Sequence, residues 1–394
     1  MAITLTNTQI STLVNEAYSL ATGGELTGTL DLRDLVDNGK NAIGDLREQF
    51  TKALINVCTK NWVMLSEYRG QYNDPFFEDE NRFGAITQLI DIEVPEVKDA
   101  SNWQEFTSGT SKVGQYTVYL PTVTTKIYTK SSSWALPITI SWEQWDTAFR
   151  SESELSNFVS YVFLAVDNAL VQHMEDMNAS NRNNFIAEKM LYSLKPDAKG
   201  IHVVDLVKEY AESIGLTENL PVSKAMTNKD FLTFASEKMN EYLTYFSKQT
   251  NLFNTAQKMR FTPPERLVVQ LLDNFVRKME FGSYSSAFHD AYVKLPNAQR
   301  IPWWEFAGDL SFSDISSIHV TTESGTIDQS GIIGLMCDKW AIMHTIRSNR
   351  VASQYFDIEN LSHYEYQHRD SYMNNLTMNA VVFVAKDYLY VHAG

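Results

Sequence analysis

Residues 151–194 read SESELSNFVSYVFLAVDNALVQHMEDMNASNRNNFIAEKMLYSL, and the fold turns on them. Ser151 and Glu154 stand three apart just ahead of an apolar run. At that spacing the two side chains cap each other's backbone N–H groups at a helix start. Leu155, Phe158, Val159, Val162, Phe163, Val166, Leu170, Met174 and Met177 then recur at helical spacing and make one broad apolar stripe. Asp167, Gln172, Glu175 and Asp176 fill much of the opposite face. A polar interruption runs from Ala179 to Asn184, and the pattern resumes with Phe185, Ile186, Met190 and Leu191. At about 1.5 Å of rise per residue, the expected helix is long enough to be a spine.

Upstream, residues 84–141 read as extended chain. Ile90, Ile92 and Val94 alternate with Asp91 and Glu93, which predicts a half-buried strand ended by Pro95. A polar tip around Ser108-Gly109-Thr110-Ser111 leads to a Thr- and Tyr-rich return over residues 115–120, 123–130 and 134–141. Such a two-stranded excursion is marginal alone in water and needs something to lie on. Ser141 and Gln144 repeat the capping spacing. Residues 1–83 read as an arm, with amphipathic helices near 10–18 and 41–60 that lack an obvious partner nearby.

Downstream, residues 200–204 suit a short strand and residues 230–246 a helix carrying Phe231, Phe234, Met239, Leu243 and Phe246. Thr262 and Pro263 are placed to start another helix through Val268, Leu271, Leu272, Phe275 and Met279. Residues 318–321, 332–337 and 380–384 read as strands, the last as a buried one.

The chain has 394 residues, a net charge of −15, 44% hydrophobic and 21% charged residues, which fits a folded protein of two or three domains. That acidity argues against gripping duplex DNA, since each phosphate contact needs a cation. Two cysteines, Cys58 and Cys337, exclude a disulfide framework or a CxxC knuckle, and Cys58 reads as a small buried hydrophobe. No apolar run approaches the ~20 residues that span a bilayer, and no start resembles a signal peptide, so a soluble chain, intracellular when made, is expected. Tyr 19, Phe 21 and Trp 8 suit either a large aromatic core or protein–protein contact.

No P-loop, dinucleotide fingerprint, HExxH or GxSxG occurs. His363, Glu365, His368 and Asp370 form the densest polar cluster, but in a strand His363 and Glu365 share one face and His368 falls on the other. His173 with Glu175 and Asp176 has nothing to complete a ligand set and reads as a solvated helix face. No cofactor or metal is expected.

The order of pieces carries more than any one of them. WALPITISWE (134–143), residues 151–177, MRFTPPERLVVQLLDNFVRKM (259–279), IIGLMCDKWAIM (332–343) and residues 361–385 follow in a sequence that resembles the major capsid proteins of tailed bacteriophages. The likeness covers about residues 120–385, and Thr147-Ala148-Phe149, Asp338-Lys339-Trp340 and the run from Asn379 to Val384 make it nearest to small short-tailed phages of the salasvirus type. The resemblance implies an α+β fold of the tailed-phage and herpesvirus shell kind. It divides the chain into an arm (1–83), an extended hairpin (84–141), a peripheral domain with the spine helix (142–258), an axial domain (259–350) and closing strands that return to the peripheral domain (351–394).

The resemblance also implies copies of the chain assembling as pentamers and hexamers, a portal and a scaffolding protein as further partners, enclosed double-stranded DNA that is not read by sequence, and no membrane. Tyr116, Tyr119, Tyr128 and Trp134 are the expected contacts between subunits. Lys112, Lys126 and Lys130 lie in or near the hairpin, and no cross-linking reaction is assigned to them. A protein-storing nanocompartment of the same fold is the alternative, and a metal-dependent hydrolase built on His363, His368 and Asp370 the remote one.

Overall fold

The computed structural model describes residues 76–80, 87–92, 123–129, 132–141, 144, 152–283, 298–305, 310–356 and 361–390. The expected arm helices, the hairpin tip, Cys58, Lys112, Tyr116, Tyr119, Lys130 and the segment 147–149 lie outside them.

The spine is a single helix, α1 (Glu152–Ser193), of 42 residues, about 63 Å long. The polar stretch expected to interrupt its pattern is instead among its most enclosed parts: Asn181 and Asn183 are buried. Asn183 Nδ2 donates to the Trp304 carbonyl at 2.7 Å, and the backbone carbonyl of Asn181 accepts from Asn374 Nδ2 at 3.2 Å. Hydrogen bonds to these neighbouring segments offset part of the cost of burying the polar stretch, and the helix runs on.

Two sheets flank the spine. The first has the order β1 (Phe77–Glu80), β11 (Ile342–Phe356), β12 (Leu361–Asn374), β4 (Ser132–Ser141). The β11 and β12 strands form a long antiparallel pair, β4 adds antiparallel to β12, and β1 adds parallel to β11. The end of the expected arm is therefore a sheet strand, anchored by buried Phe76.

The second sheet has the order β5 (Val203–Asp205), β13 (Ala380–Val384), β10 (Ile332–Asp338), β6 (Leu267–Leu272), β7 (Ala298–Ile301). Its inner strands β13, β10 and β6 are buried almost throughout, which is why they read as continuous apolar runs. β5, from residues 142–258, and β13, from residues 351–394, lie in one sheet with β6, β7 and β10.

Residues 267–272 correct the expected helix through Val268, Leu271 and Leu272. LVVQLL is a strand, and a helix, α4 (Asp273–Ser283), begins only after it. A helix would bury one stripe of these six residues. Here five are buried, because β10 and β7 pair on either side and the sheet is covered on both faces. Thr262 does not cap a helix either. Its hydroxyl donates to Asp338 Oδ2 at 3.1 Å.

The expected strands near 200–204, 318–321, 332–337 and 380–384 are present, as is the helix near 230–246. That helix, α3 (Lys229–Ser247), starts from Asn228, whose side chain accepts from Asp230 N. A short helix not anticipated, α2 (Leu206–Ser213), follows β5, capped by Asp205. The Ser141–Gln144 box forms as expected: Ser141 N donates to Gln144 Oε1 at 3.1 Å and Gln144 N to Ser141 Oγ at 3.4 Å.

One core residue is out of character. Lys189 of α1 is completely buried, and its amine donates to the Phe253 carbonyl at 3.0 Å. Burial pushes it down to about 7, against an opposing pull from Cys337. The folded value lies below the unfolded one, so the unfolded chain binds more protons between about pH 7 and 10, and stability rises with pH across that window. The Phe253 carbonyl also accepts from Ala380 N, so it keeps a partner if the amine goes. Lys189→Met is therefore expected to stabilise the subunit at pH 7 by on the order of 3 kcal/mol and to flatten the rise. Thermal melts at pH 7 and 9 check this; a variant that melts lower than the parent at both would mean the amine has a stabilising role.

Candidate interaction surface

The hairpin is built from β2 (Thr87–Ile92) and β3 (Val123–Tyr128), which among the described residues pair only with each other, in an antiparallel ribbon. Strand alternation gives the ribbon two faces. Thr87, Leu89 and Asp91 share one with Thr124, Lys126 and Tyr128; Gln88, Ile90 and Ile92 share the other with Val123, Thr125 and Ile127.

The alternation anticipated from the sequence is present, but its sense is reversed. The polar face, not the isoleucine face, turns toward the subunit. Asp91 accepts from Lys258 Nζ at 2.9 Å and pairs with Arg260. The same Lys258 amine donates to Thr124 Oγ1 at 2.8 Å. Burial raises the Asp91 carboxyl, but the Lys258 hydrogen bond and the two neighbouring cations outweigh it and hold it below the usual carboxylate range. The Asn374 carbonyl, at the end of β12, accepts from Tyr128 Oη at 3.1 Å and Lys126 Nζ at 3.4 Å. Burial pushes the Tyr128 phenol up to about 12.

Ile90, Ile92, Val123 and Ile127 face outward, each between 53% and 64% exposed. Register places Ile92 directly opposite Val123, Ile90 opposite Thr125 and Ile127 opposite Gln88, so the face is uncharged and mostly apolar. Scattered exposed apolar residues are ordinary, whereas a face of them on an element with no core of its own marks a contact surface.

Of the residues expected to contact other subunits, Tyr128 and Trp134 are both engaged within this one. Trp134 Nε1 donates to the buried Asp370 carboxylate at 2.9 Å, and its ring lies 4.4 Å from the ring of His173 on α1. That half-buries His173, which is not on a solvated face as anticipated. His344 Nε2 lies 3.7 Å from the other Asp370 oxygen. The four polar residues near 363–370 all fall on β12. Among the described residues no group of three or more His, Cys, Asp or Glu is placed to hold a metal, and no helix is long and apolar enough to cross a membrane.

Two of the segments that carried the sequence resemblance, 338–340 and 379–384, meet in the core. Asp338, 1% exposed, accepts from Trp340 N through Oδ1, and from Thr262 Oγ1 and Arg266 Nη2 through Oδ2, at 3.0–3.1 Å. Asn379 joins from β13: its carbonyl accepts from Asp338 N and its Nδ2 donates to Thr262 Oγ1. The Arg266 guanidinium lies 4.2 Å over the Trp340 ring. These residues tie three chain segments together.

A family model described as Phi29-like phage major capsid protein matches residues 29–384. No curated protein matches by sequence. Among solved structures, the capsid structure of Staphylococcus phage Andhra is similar with a TM-score of 0.51 at 9% identity, covering 80% of this chain and 84% of that one. The mature capsid of bacteriophage PhiM1 gives 0.43 at 7% identity, over 80% and 88% of the two chains. The capsid of cyanophage P-SCSP1u gives 0.41 at 12%, over 81% and 89%. The Andhra likeness is one of fold. Neither the nanocompartment nor the hydrolase finds support in these comparisons.

Proposed function

Since the chain belongs to the Phi29-like phage major capsid protein family, we propose that its copies close into pentamers and hexamers around a double-stranded DNA genome. The chain is a capsid shell protein of the virion. The reading of five- and six-fold rings rests on the hairpin, and a portal and a scaffolding protein as partners rest on the family alone. An exposed ribbon held to its own subunit by polar contacts, with its apolar face turned away, is incomplete until a neighbour covers it. Small changes in hairpin angle would let one chain serve both five- and six-fold surroundings.

The reading assigns the chain no enzymatic step and places its assembly in the host cytoplasm. The net charge of −15 suits a container for DNA, because a wall of the same sign as the phosphates would not hold the genome fast. Expression alone and with the phage's scaffolding protein, followed by negative-stain imaging and light scattering, tests the proposal. Closed particles are expected. A monomer that persists at high concentration even with scaffold would overturn it.

A further inference from the structure

Residues 250–260, between α3 and β6, fold into a closed loop against the buried Lys189. Thr250 and Arg260 bond to each other in both directions, at 2.9 and 3.0 Å, and shut its neck. Inside it, Asn254 Nδ2 donates to the Lys258 carbonyl at 2.8 Å, and Asn254 Oδ1 accepts from Lys258 N at 2.9 Å. A loop bonded to itself in this way moves as one piece. It carries Lys258 and Arg260, whose bonds to Asp91 hold the hairpin.

The loop is fastened to the subunit from two sides. From the chain entering β13, the Leu376 carbonyl accepts from Thr255 N and Oγ1, and Ala380 N donates to the Phe253 carbonyl. From the spine, the Lys189 amine donates to the same Phe253 carbonyl at 3.0 Å, and Tyr192 Oη to the Thr255 carbonyl at 3.2 Å. The Phe253 ring, stacked on Phe246 and edge-on to Tyr242, anchors the loop in the core.

The spine fastening depends on the charge of the amine. A neutral amine is served by the Phe253 carbonyl. An ammonium brings three donors and a full charge to the same place, which holds one acceptor for it. Among the described residues, the titratable groups facing it are Cys337 of β10 and His202, just ahead of β5, and no carboxylate pairs with it. His202 supplies no counter-charge. It is buried, its Nε2 lies 3.0 Å from the Lys199 carbonyl, and burial together with the neighbouring amine pushes it down to about 4. β13 brings only apolar side chains, and the loop's own cations turn toward the hairpin. β10 and β13 are inner strands of the second sheet, whereas the loop belongs to no sheet, so the loop is the cover that gives way.

We infer that Lys189 is a proton-operated pin: when its amine takes up a proton, the 250–260 loop lifts from the spine and loosens the subunit's grip on its own hairpin. The device belongs to the single subunit, so it stands or falls apart from the shell reading. Its sign follows from the two states of the amine. Enclosed, it is pushed down to about 7; freed into water, it holds a proton up to about pH 10. Opening is therefore favoured as pH falls. Its equilibrium constant is expected to rise about ten-fold from pH 9 to pH 8 and to level off below about pH 7.

Hydrogen–deuterium exchange of the unassembled full-length chain at pH 6, 7, 8 and 9, with labelling times scaled for the intrinsic rate, measures that constant. The loop amides, Thr255 N among them, are expected to follow the profile in the parent and to stay flat in Lys189→Met. Cys337→Ala, which keeps the amine, is expected to keep the profile. Residues 87–92 belong to a two-stranded ribbon, marginal alone in water, and are expected to follow the loop. A flat loop in the parent, while the amides of β10 and β13 show the profile, would mean that the amine is freed only when the whole subunit unfolds, and overturns the inference. A profile that survives Lys189→Met, or is lost in a folded Cys337→Ala chain, overturns it too. A ribbon that does not follow the loop overturns the link to the hairpin.

Discussion

Ile92→Asp is expected to abolish shells while leaving a folded, soluble subunit. Ile92 is 62% exposed in the subunit, so the substitution removes little buried area there, and its stability is expected to change by less than about 0.5 kcal/mol. On the proposed function the same position lies under a neighbour in the shell. An unpaired carboxylate buried in an apolar contact costs several kcal/mol, and each ~1.4 kcal/mol is tenfold in an association constant. Every copy in a shell carries the defect, so the yield of closed particles is expected to fall by at least about 100-fold. Ile92→Val, which keeps an apolar face, is expected to assemble. Sedimentation velocity measures both, and the melting temperature of the unassembled subunit separates misfolding from failed contact. Normal particle yield from Ile92→Asp would show that the face stays in solvent, and the reading of the hairpin as a covered element would go with it.

The second large effect is on the subunit itself. Asp338→Ala is expected to lower stability by about 3–5 kcal/mol, because it removes one partner from a buried, charged network and strands the others. Trp340 N and Thr262 Oγ1 lose their acceptor, and Arg266 keeps its charge with only the Trp340 ring beside it. The node joins the turn before β6, the end of β10 and the chain entering β13, so the loss is felt by the whole second sheet. Asp338→Asn retains one carbonyl oxygen and is expected to fall between parent and alanine variant. Urea unfolding followed by tryptophan fluorescence gives both values. A shift under 0.5 kcal/mol for Asp338→Ala would mean that water replaces the carboxylate at no cost.

Particular residues show how far the sequence reached. Long helix, buried strands and a capping pair were legible because each depends on near neighbours. The stripe from Leu155 to Leu191 repeats at the helical period, Ala380 to Val384 leaves no polar face to expose, and Ser141 and Gln144 are three residues apart. Residues 267–272, five apolar residues and Gln270, were misread as helix for the opposite reason: a short run buried on all sides has no period, and only pairing with β10 and β7 makes it a strand. The motif residues Asp338 and Asn379 were visible as landmarks of a family, but their role as a buried junction appears only when Thr262 and Arg266 arrive from 70 or so residues away.

What the sequence determined by itself is therefore the set of elements and the two-sidedness of each: a period of 3.6 or 2 divides an element into faces whatever surrounds it. What only the tertiary structure decided is which face meets what. Ile90 and Ile92 look like the inward side of a strand until Lys258 and Arg260 are found under Asp91, and Asn181 and Asn183 look like a break in a helix until Trp304 and Asn374 are found beside them. The physical reason is that a side chain's polarity fixes what it costs to bury without partners, while the partners come from segments distant in the chain, and their arrival sets the sign of the result.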